Sequence, residues 1–151
     1  MRQPLPKRRD GPRTALRVRS RGARCTVGLK RAYEAPSASD GMRVLVDRLW
    51  PRGLTMEQVA ADLWLRELAP SDALRRWFDH EPSRWIAFSQ KYRAELAGRP
   101  DLLRLLDELR RSARLTLVYS GGDAEHNHAV VLEQLVSERR FASHDAEGVE
   151  T

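Results

Sequence analysis

Residues 43–53 read RVLVDRLWPRG, and this stretch decides the predicted fold. Its apolar run, from Val44 to Val46, is short and uninterrupted, as is typical of a strand buried on both faces of a parallel sheet. Such sheets bind their ligands just beyond the carboxyl ends of the strands. The polar and aromatic residues that follow the run therefore predict a candidate site, and its members are Asp47, Arg48, Trp50 and Arg52.

Outward from this stretch, the pattern predicts an α/β fold with a small, largely parallel sheet flanked by helices, a Rossmann-like layered architecture. Two further strands are predicted over residues 26–33 and 115–119. Tryptophans 64, 77 and 85 are interpreted as packing residues of the core. Capping and spacing signals predict five helices. The first runs from a Thr55 capping box to near Leu68, the second is short and capped by Ser71, and the third is longer and capped by Ser83. The fourth begins at Pro100, and the last is capped by Asp123 and ends near Val136.

Length and charge divide the 151 residues into three predicted segments. Residues 1–25 hold nine Lys/Arg and one Asp, a net charge of +8, and we predict a basic disordered extension. Residues 26–151 hold 18 Lys/Arg and 20 Asp/Glu, a net charge of −2. Within them we predict a single α/β domain over 26–138 and a charged flexible tail over 139–151. Cys25 is the one cysteine, which excludes an internal disulfide, and the composition favours a cytoplasmic protein without a membrane span.

The basic extension has several interpretations, among which a transit peptide is disfavoured because the prolines interrupt an amphipathic helix and serine is scarce. Its arginines suit an arm that binds nucleic acid through phosphate contacts. Alternatively it is an extension without a function of its own, or the product of a start codon assigned too far upstream. Nucleic-acid binding is expected only through residues 1–25, because the rest of the chain is slightly acidic.

A second candidate site follows the predicted strand that ends at Tyr119. The small residues Ser120, Gly121 and Gly122 lead to Asp123, where the last helix is predicted to begin. Unpaired N–H groups at the start of a helix favour an anion, and glycines let a ligand approach the backbone. The same loop could equally be a helix cap with no ligand.

His126 and His128 raise the question of a metal site, and helical geometry argues against one. Side chains two residues apart on a helix point about 200° apart, so the two imidazoles could not readily reach one ion. We therefore predict no metal site. His128 is interpreted as a partly buried histidine bonded to a carbonyl or to Asp47, and His126 as a proton donor, a proton acceptor or an anion contact.

Three blocks of the sequence resemble a known family. KRAYEAPSASDGMRVLVDRLWPRG, LAPSDALRRWFDHEPSRWIAFSQKYRAEL and LVYSGGDAEHNHAVVL are similar, in this order, to the YeaO-like branch of the family called domain of unknown function 488. The resemblance covers about residues 27–136 and implies a compact cytoplasmic α/β domain whose biochemical role is unassigned. The broader family tends to carry a Cys-His-Arg triplet in the last helix. The matching place reads Asn127-His128-Ala129, so only the histidine carries over.

These observations predict one polar cleft at the carboxyl edge of the sheet, with the strands that contain Val44 and Leu117 as parallel neighbours or one strand apart. The cofactor and the oligomeric state stay open. The cleft is predicted to have Asp47, Arg48, Trp50 and Arg52 on one wall and Ser120, Asp123, His126 and His128 on the other, with Lys30 contributing from the first strand.

Three hypotheses follow for the cleft. The first is an enzyme for a small anionic or nucleotide-like substrate, in which the arginines hold the anion, Trp50 stacks on a ring, and Asp47 with His126 moves protons. The second is a non-catalytic module that binds an anion, a nucleotide or nucleic acid. The third is that Asp47, Arg48 and Arg52 form an internal ion-pair network and that the site lies elsewhere.

Overall fold

The fold is a four-stranded parallel sheet with helices between its strands, and the computed structural model describes residues 27–138. The strands are β1 (Val27–Arg31), β2 (Met42–Leu45), β3 (Leu63–Trp64) and β4 (Leu115–Tyr119), in the spatial order β1-β4-β2-β3. The helices are α1 (Met56–Val59), α2 (Asp72–Phe78), α3 (Trp85–Ala97), α4 (Pro100–Ser112) and α5, which begins at residue 128 and is described as far as residue 138. Short 3-10 turns lie at Ala38–Asp40, Arg66–Leu68 and Pro82–Arg84. The predicted α/β fold is confirmed, whereas the segments predicted over 1–25 and 139–151 lie outside the described residues.

Strands β2 and β4 are parallel neighbours, as the sequence predicts. Val44 lies opposite Leu117 and Leu45 opposite Val118. One residue further on, the N–H of Val46 donates to the carbonyl of Val118 at 3.0 Å. The two strands therefore end side by side, and the residues that follow them emerge at the same edge of the sheet.

One face of the sheet carries the main core. Side chains of β2 and β4 that point to this face pack against α2 to α5, and each fully buried large side chain contributes about 1.5–3 kcal/mol. Trp85 belongs to a row of stacked rings, 5.7 Å from Phe88, so its predicted packing role is confirmed. No helix within residues 27–138 is both long and apolar enough to cross a membrane. The fully buried members of this core include Val44, Val46, Leu68, Tyr92, Leu106, Leu115, Leu117 and Leu132.

The other face is covered by a smaller apolar cluster. Leu45 and Val118 are fully buried there beneath Trp50 and Trp64, whose ring centroids lie 5.5 Å apart at an edge-to-face angle of 67°. Both tryptophans come from the segment between β2 and the end of β3. This segment replaces the helical layer that a doubly wound sheet carries on each face.

The helix predicted from Thr55 to near Leu68 is wrong beyond its first turn. The capping box is present, because the Thr55 side chain accepts from the N–H of Gln58 and the Gln58 side chain accepts from the N–H of Thr55. Ala60 then adopts the left-handed conformation, with φ 51° and ψ 40°, and ends α1 after Val59. The capping box therefore predicted the start of a helix correctly but not its length.

Strand β3 occupies the place of that helix, and no pattern in the sequence predicts it. The N–H of Asp62 donates to the carbonyl of Arg43 at 2.7 Å, and the N–H of Leu65 donates to the carbonyl of Leu45 at 2.9 Å. The exposed edge of β2 thus recruits this segment through its backbone. A two-residue strand leaves no period in the sequence, because it satisfies main-chain groups rather than burying a stripe of side chains.

The last helix begins later than predicted. Asp123 does not cap it, since its Oδ1 accepts from the N–H groups of Glu125 and His126 at 2.9 and 3.1 Å and closes a separate turn. Asn127 is the cap, because its Oδ1 accepts from the N–H of Val130 at 3.2 Å. His126 therefore precedes α5 instead of lying in its first turn.

Trp77 is the one tryptophan for which the predicted core position is wrong. Its side chain is 38% exposed on α2. Lys91 Nζ and Arg84 Cζ lie 5.1 and 5.3 Å from its ring centroid, within cation–π range. Helical spacing alone does not distinguish this flank of a short helix from its buried stripe.

Candidate ligand-binding site

Asp47 is the centre of a polar group at the carboxyl edge of the sheet. It is only 8% exposed, and its Oδ2 accepts two hydrogen bonds from Ser120, from the backbone N–H at 2.9 Å and from the hydroxyl at 2.5 Å. The loop after β2 is thereby joined directly to the loop after β4. Asp47 and Ser120 were assigned to opposite walls of the predicted cleft, and these two walls are in contact here.

His128 completes this group from α5. Its Nε2 lies 3.0 Å from the carbonyl of Val46 and 3.2 Å from Asp47 Oδ1. A carbonyl only accepts, so Nε2 carries the proton and donates it to Val46. Oδ1 is close enough for electrostatic attraction, but it accepts no hydrogen bond from any residue within 27–138. The interpretation of His128 as a partly buried histidine bonded to a carbonyl or to Asp47 is confirmed.

The surroundings of Asp47 keep its carboxylate charged. Burial raises the pKa of Asp47. The neighbouring His128 and the hydrogen bonds from Ser120 together lower the pKa by more than burial raises it. The net result is a pKa below the ordinary value for aspartate. Asp47 is therefore an anion at neutral pH whose oxygens face protein groups, which makes it a poor acceptor of a proton from a substrate.

Arg31, at the end of β1, fixes the loop that follows β4. Its Nε donates to the carbonyl of Gly121 at 2.8 Å, and its guanidinium carbon lies 5.2 Å from the ring centroid of Tyr33. The Tyr33 hydroxyl in turn donates to the backbone carbonyl of Arg52 at 2.9 Å. The loops after β1, β2 and β4 are thus linked at one edge of the sheet.

The two arginines after β2 do not contact Asp47. Arg48 donates from Nη2 to the carbonyl of Pro70 at 3.1 Å, and its Nε lies 3.8 Å from Asp72. The Arg52 side chain is exposed and has no hydrogen bond or ion pair to any residue in the described part of the chain. The ion-pair network proposed among Asp47, Arg48 and Arg52 is therefore absent from residues 27–138.

Trp50 and Lys30 lie apart from the Asp47 group. The Trp50 indole N–H donates to the carbonyl of Leu54 at 2.7 Å while its ring packs on Trp64, on the second face of the sheet. Lys30 binds both carboxylate oxygens of Asp40 at 3.1 Å, and Asp40 also pairs with Arg43 at 2.7 Å. Both side chains are occupied by contacts that stabilise loops.

His126 and Asp123 form a pair of their own. Nδ1 of His126 lies 3.0 Å from Asp123 Oδ2, and the edge of the imidazole packs against Trp85. His126 and His128 therefore have different partners. Among residues 27–138, no group of three or more His, Cys, Asp or Glu side chains is arranged to hold a metal ion.

An open cleft of about 300 Å³ lies beside the Asp47 group, on the side of the helices. The ring of Tyr92 lines the cleft and also contacts the imidazole of His128, with 6.1 Å between centroids. Burial raises the pKa of Tyr92, so its hydroxyl stays protonated and donates to the carbonyl of Leu68. Of the predicted site residues, only Arg48 lines this cleft, and its full lining is Arg48, Glu67, Ala69, Ser71, Tyr92, Glu95, Leu96 and Arg99.

The sequence analysis missed most of this lining. Glu67 lies in a 3-10 turn, Glu95 near the end of α3 and Arg99 just before α4. Each reads in the sequence as an ordinary exposed charge near the end of an element. Only the tertiary fold brings them together, so no spacing signal could have found them.

Comparisons with known proteins agree on one family. A family model described as "Inactive DUF488-N3 subclade" matches residues 26–150. The chain is 42% identical over 103 residues to "Uncharacterized protein YeaO" of Escherichia coli K12, covering 68% of this chain and 90% of that protein. It is 37% identical over 113 residues to "Uncharacterized protein Rv3073c" of Mycobacterium tuberculosis H37Rv, covering 75% of this chain and 95% of the relative. No solved structure gives a significant match.

The residues Asn127, His128 and Ala129 all have structural roles. The Asn127 amide donates to the carbonyl of Asp123 at 2.7 Å while its oxygen caps α5. Ala129 is fully buried in the main core. Compared with the Cys-His-Arg triplet that the broader family tends to carry, Asn127 stands in place of the cysteine and supplies no thiol nucleophile. Ala129 stands in place of the arginine, and its buried site has no room for an arginine side chain without repacking.

Proposed function

The chain belongs to the inactive DUF488-N3 subclade, and from this premise we propose that it binds a small anionic ligand without transforming it. The ligand occupies the cleft beside the Asp47 group, in a cytoplasmic protein. The observation that carries the proposal is the pair of arginines, Arg48 and Arg99, on the lining of one cleft next to the carboxyl edge of a parallel sheet.

The state of each arginine supports anion binding. Arg99 is exposed, and its guanidinium has no hydrogen bond or ion pair to any residue between 27 and 138. Arg48 is held in position by the carbonyl of Pro70, to which Nη2 donates, and its Nε lies 3.8 Å from Asp72. A guanidinium that such contacts orient and that still has free N–H groups is suited to bidentate binding of a carboxylate or phosphate.

The absence of catalysis is supported by the occupied groups at the edge of the sheet. Asp47 Oδ2 accepts two hydrogen bonds from Ser120, and the pKa of Asp47 below its ordinary value makes this carboxylate a poor general base. Asn127 stands at the place where the broader family tends to carry a cysteine, and its amide is used in a helix cap. The description of the family model as inactive agrees with both observations.

A catalytic function is the second candidate, and His126 is the observation that favours it. Asp123 holds Nδ1 of this half-buried imidazole, and no residue in the described chain bonds to its Nε2. A carboxylate that orients an imidazole is the arrangement of a general base. A substrate at this histidine would lie at the loop after β4, because His126 does not line the 300 Å³ cleft.

Calorimetric titration with inorganic phosphate, acetate and adenosine monophosphate tests the proposal. At least one of the three should bind the full chain, and Arg99→Ala should weaken that binding about 10- to 150-fold, the equivalent of about 1.5–3 kcal/mol for a hydrogen bond to a charged group. Arg104→Ala is the matched control, since this exposed arginine on α4 does not line the cleft and its loss changes the net charge equally. Equal weakening by both substitutions, or no binding of any probe or of any other compound that carries a carboxylate, contradicts the proposal.

The catalytic alternative requires a different readout. The full chain is incubated with a library of phosphate esters and nucleotides, and product is measured for the wild type and for His126→Gln. Turnover that His126→Gln abolishes would favour the enzyme over the binding module. The binding proposal expects no turnover from either protein.

A further inference from the structure

We infer that the ligand of the cleft is a zwitterion of the amino-acid class, with its carboxylate at Arg99 and Arg48 and its ammonium group at Glu67. This inference rests on the proposed function and specifies the ligand further. It follows from the balance of charges on the lining, from the contacts that those charges already make, and from the size of the cleft.

The lining carries two positive and two negative side chains, and one of each sign is already engaged. Glu95 accepts from the N–H of Ser71 at 2.9 Å and from its hydroxyl at 2.5 Å, so both carboxylate oxygens are in use. Arg48 is held by the carbonyl of Pro70 and lies near Asp72. These contacts orient the two side chains and reduce what each can offer to a ligand.

Arg99 and Glu67 are the remaining pair. Both are exposed and line the same cleft, yet within the described chain neither side chain makes a hydrogen bond or an ion pair, and the two side chains do not pair with each other. Two opposite charges that share a cleft without closing on one another leave a place for a molecule with both complementary charges. The carboxylate of such a ligand satisfies Arg99, and its ammonium group satisfies Glu67.

The same balance disfavours other small ions. A dicarboxylate or a phosphate dianion would bring its second negative charge near Glu67 and Glu95, whereas a simple amine would be repelled by Arg48 and Arg99. Discrimination between partners of different charge depends on such repulsion as much as on attraction. A zwitterion avoids both conflicts.

The cleft has room and apolar surface for a side chain. Ala69 is part of its lining beside the charged groups, and the buried side chains of Leu96 and Tyr92 lie at its wall. A volume of about 300 Å³ is at the small end of the range for sites of small molecules. An amino acid therefore fits better than a nucleotide.

The test compares each of the twenty amino acids with its 2-hydroxy acid, which keeps the carboxylate and lacks the ammonium group. Binding to the full chain is measured by calorimetry or by protein-observed NMR. At least one amino acid should bind the wild type 10-fold or more tightly than its hydroxy acid. In Glu67→Gln this ratio should fall to 2-fold or less, whereas Arg99→Gln should weaken both compounds and Arg104→Gln neither.

The outcomes separate this inference from the proposed function. If hydroxy acids bind the wild type as tightly as amino acids, or if phosphate, acetate or adenosine monophosphate binds while no amino acid does, the zwitterion assignment is wrong and anion binding stands. If no compound binds, both are wrong. Melting temperatures within 2 °C of the wild type are expected for all three variants, because each side chain is exposed and makes no hydrogen bond or ion pair within residues 27–138.

Discussion

Asp47 and Ser120, 73 positions apart in the chain, are joined by two hydrogen bonds to one carboxylate oxygen. This contact closes the carboxyl edge between two adjacent strands. The cleft therefore does not lie where the sequence predicts it, because the two residues that are expected to face each other across it are hydrogen-bonded to each other. The opening lies instead between Arg48 and the helices.

Replacement of Asp47 by asparagine should destabilise the protein by about 1–3 kcal/mol, the cost of an unmade hydrogen bond in a buried site. If the new amide oxygen keeps the bonds from Ser120, its NH₂ group faces the Nε2–H of His128, and two donors then oppose each other. Urea denaturation measures the change. Glu108→Gln, an exposed change on α4, is the control and should lie within about 0.5 kcal/mol of the wild type.

Acidification should destabilise the fold through Asp47 and Asp40. Burial raises the pKa of each carboxyl group, but hydrogen bonds and charged neighbours together lower it by a larger amount. The folded-state pKa of each therefore lies below the ordinary value. The unfolded chain therefore binds protons first, and the stabilisation present above about pH 4 is lost as the pH falls through the folded-state values. Urea midpoints between pH 6 and 3 measure this loss, and Asp47→Asn should show a shallower decline. An equal decrease of the urea midpoint with falling pH in both proteins would contradict the role of Asp47.

Alanine at Gly41 and at Gly53 should differ in cost. Gly41 has φ 69° and ψ −136°, and a Cβ there would lie 2.3 Å from the carbonyl oxygen of Arg114, which accepts from the N–H of Met42. We expect a loss of about 3 kcal/mol from backbone strain and displacement of this strand end. Gly53 has φ 82° with no atom within 4 Å of a Cβ, so strain alone costs about 1 kcal/mol. Thermal unfolding of the two variants decides this, and equal costs would be the contrary result.

Arg43, within β2, and Arg52, in the loop after β2, should respond differently to alanine. The Arg52 side chain is exposed and has no hydrogen bond or ion pair between residues 27 and 138, so Arg52→Ala should change stability by less than about 0.5 kcal/mol. Arg43 is buried, pairs with Asp40 and donates to the carbonyl of Val59, and its loss should cost about 3 kcal/mol. Chemical denaturation of both variants tests the contrast. A large loss for Arg52→Ala would show a structural contact for that side chain.

Removal of residues 1–25 should abolish any salt-sensitive binding to duplex DNA. The removed segment has a net charge of +8, whereas residues 26–151 have a net charge of −2, too little to attract phosphates. Fluorescence anisotropy at 50 and 200 mM salt measures the effect on full-length and shortened chains. Tight, salt-dependent DNA binding by the shortened chain would contradict this prediction and would indicate that residues 26–151 bind the nucleic acid.

Sequence reasoning succeeded where buried side chains leave a pattern. The runs at Val44 and Leu117 predicted two neighbouring parallel strands, and the proximity of His128 to Asp47 followed from its place on the apolar side of the last helix. It failed where the backbone alone decides. Strand β3 is set by main-chain hydrogen bonds to β2, and the left-handed Ala60 ends α1 without a glycine to announce it.

The candidate site was less predictable than the fold for a different reason. Arg48 follows a strand, and the rule about carboxyl ends found it. Arg99 and Glu67 are exposed charges at the ends of other elements, and nothing in their local sequence sets them apart. The predicted stacking role of Trp50 assumed an open loop, whereas the thin cover of the second sheet face uses its ring for packing on Trp64.

The spatial order β1-β4-β2-β3 has a consequence for synthesis of the chain on the ribosome. Strand β4 lies between β1 and β2 and is the last of the four described strands to be translated, so within residues 27–138 β1 has no strand partner until Leu115–Tyr119 has emerged. The β1–β4 contacts span nearly 90 residues, as between Val27 and Leu115, and contacts of such separation form slowly. We therefore expect nascent chains to expose the edges of β1 and β2 to chaperones until β4 has been translated.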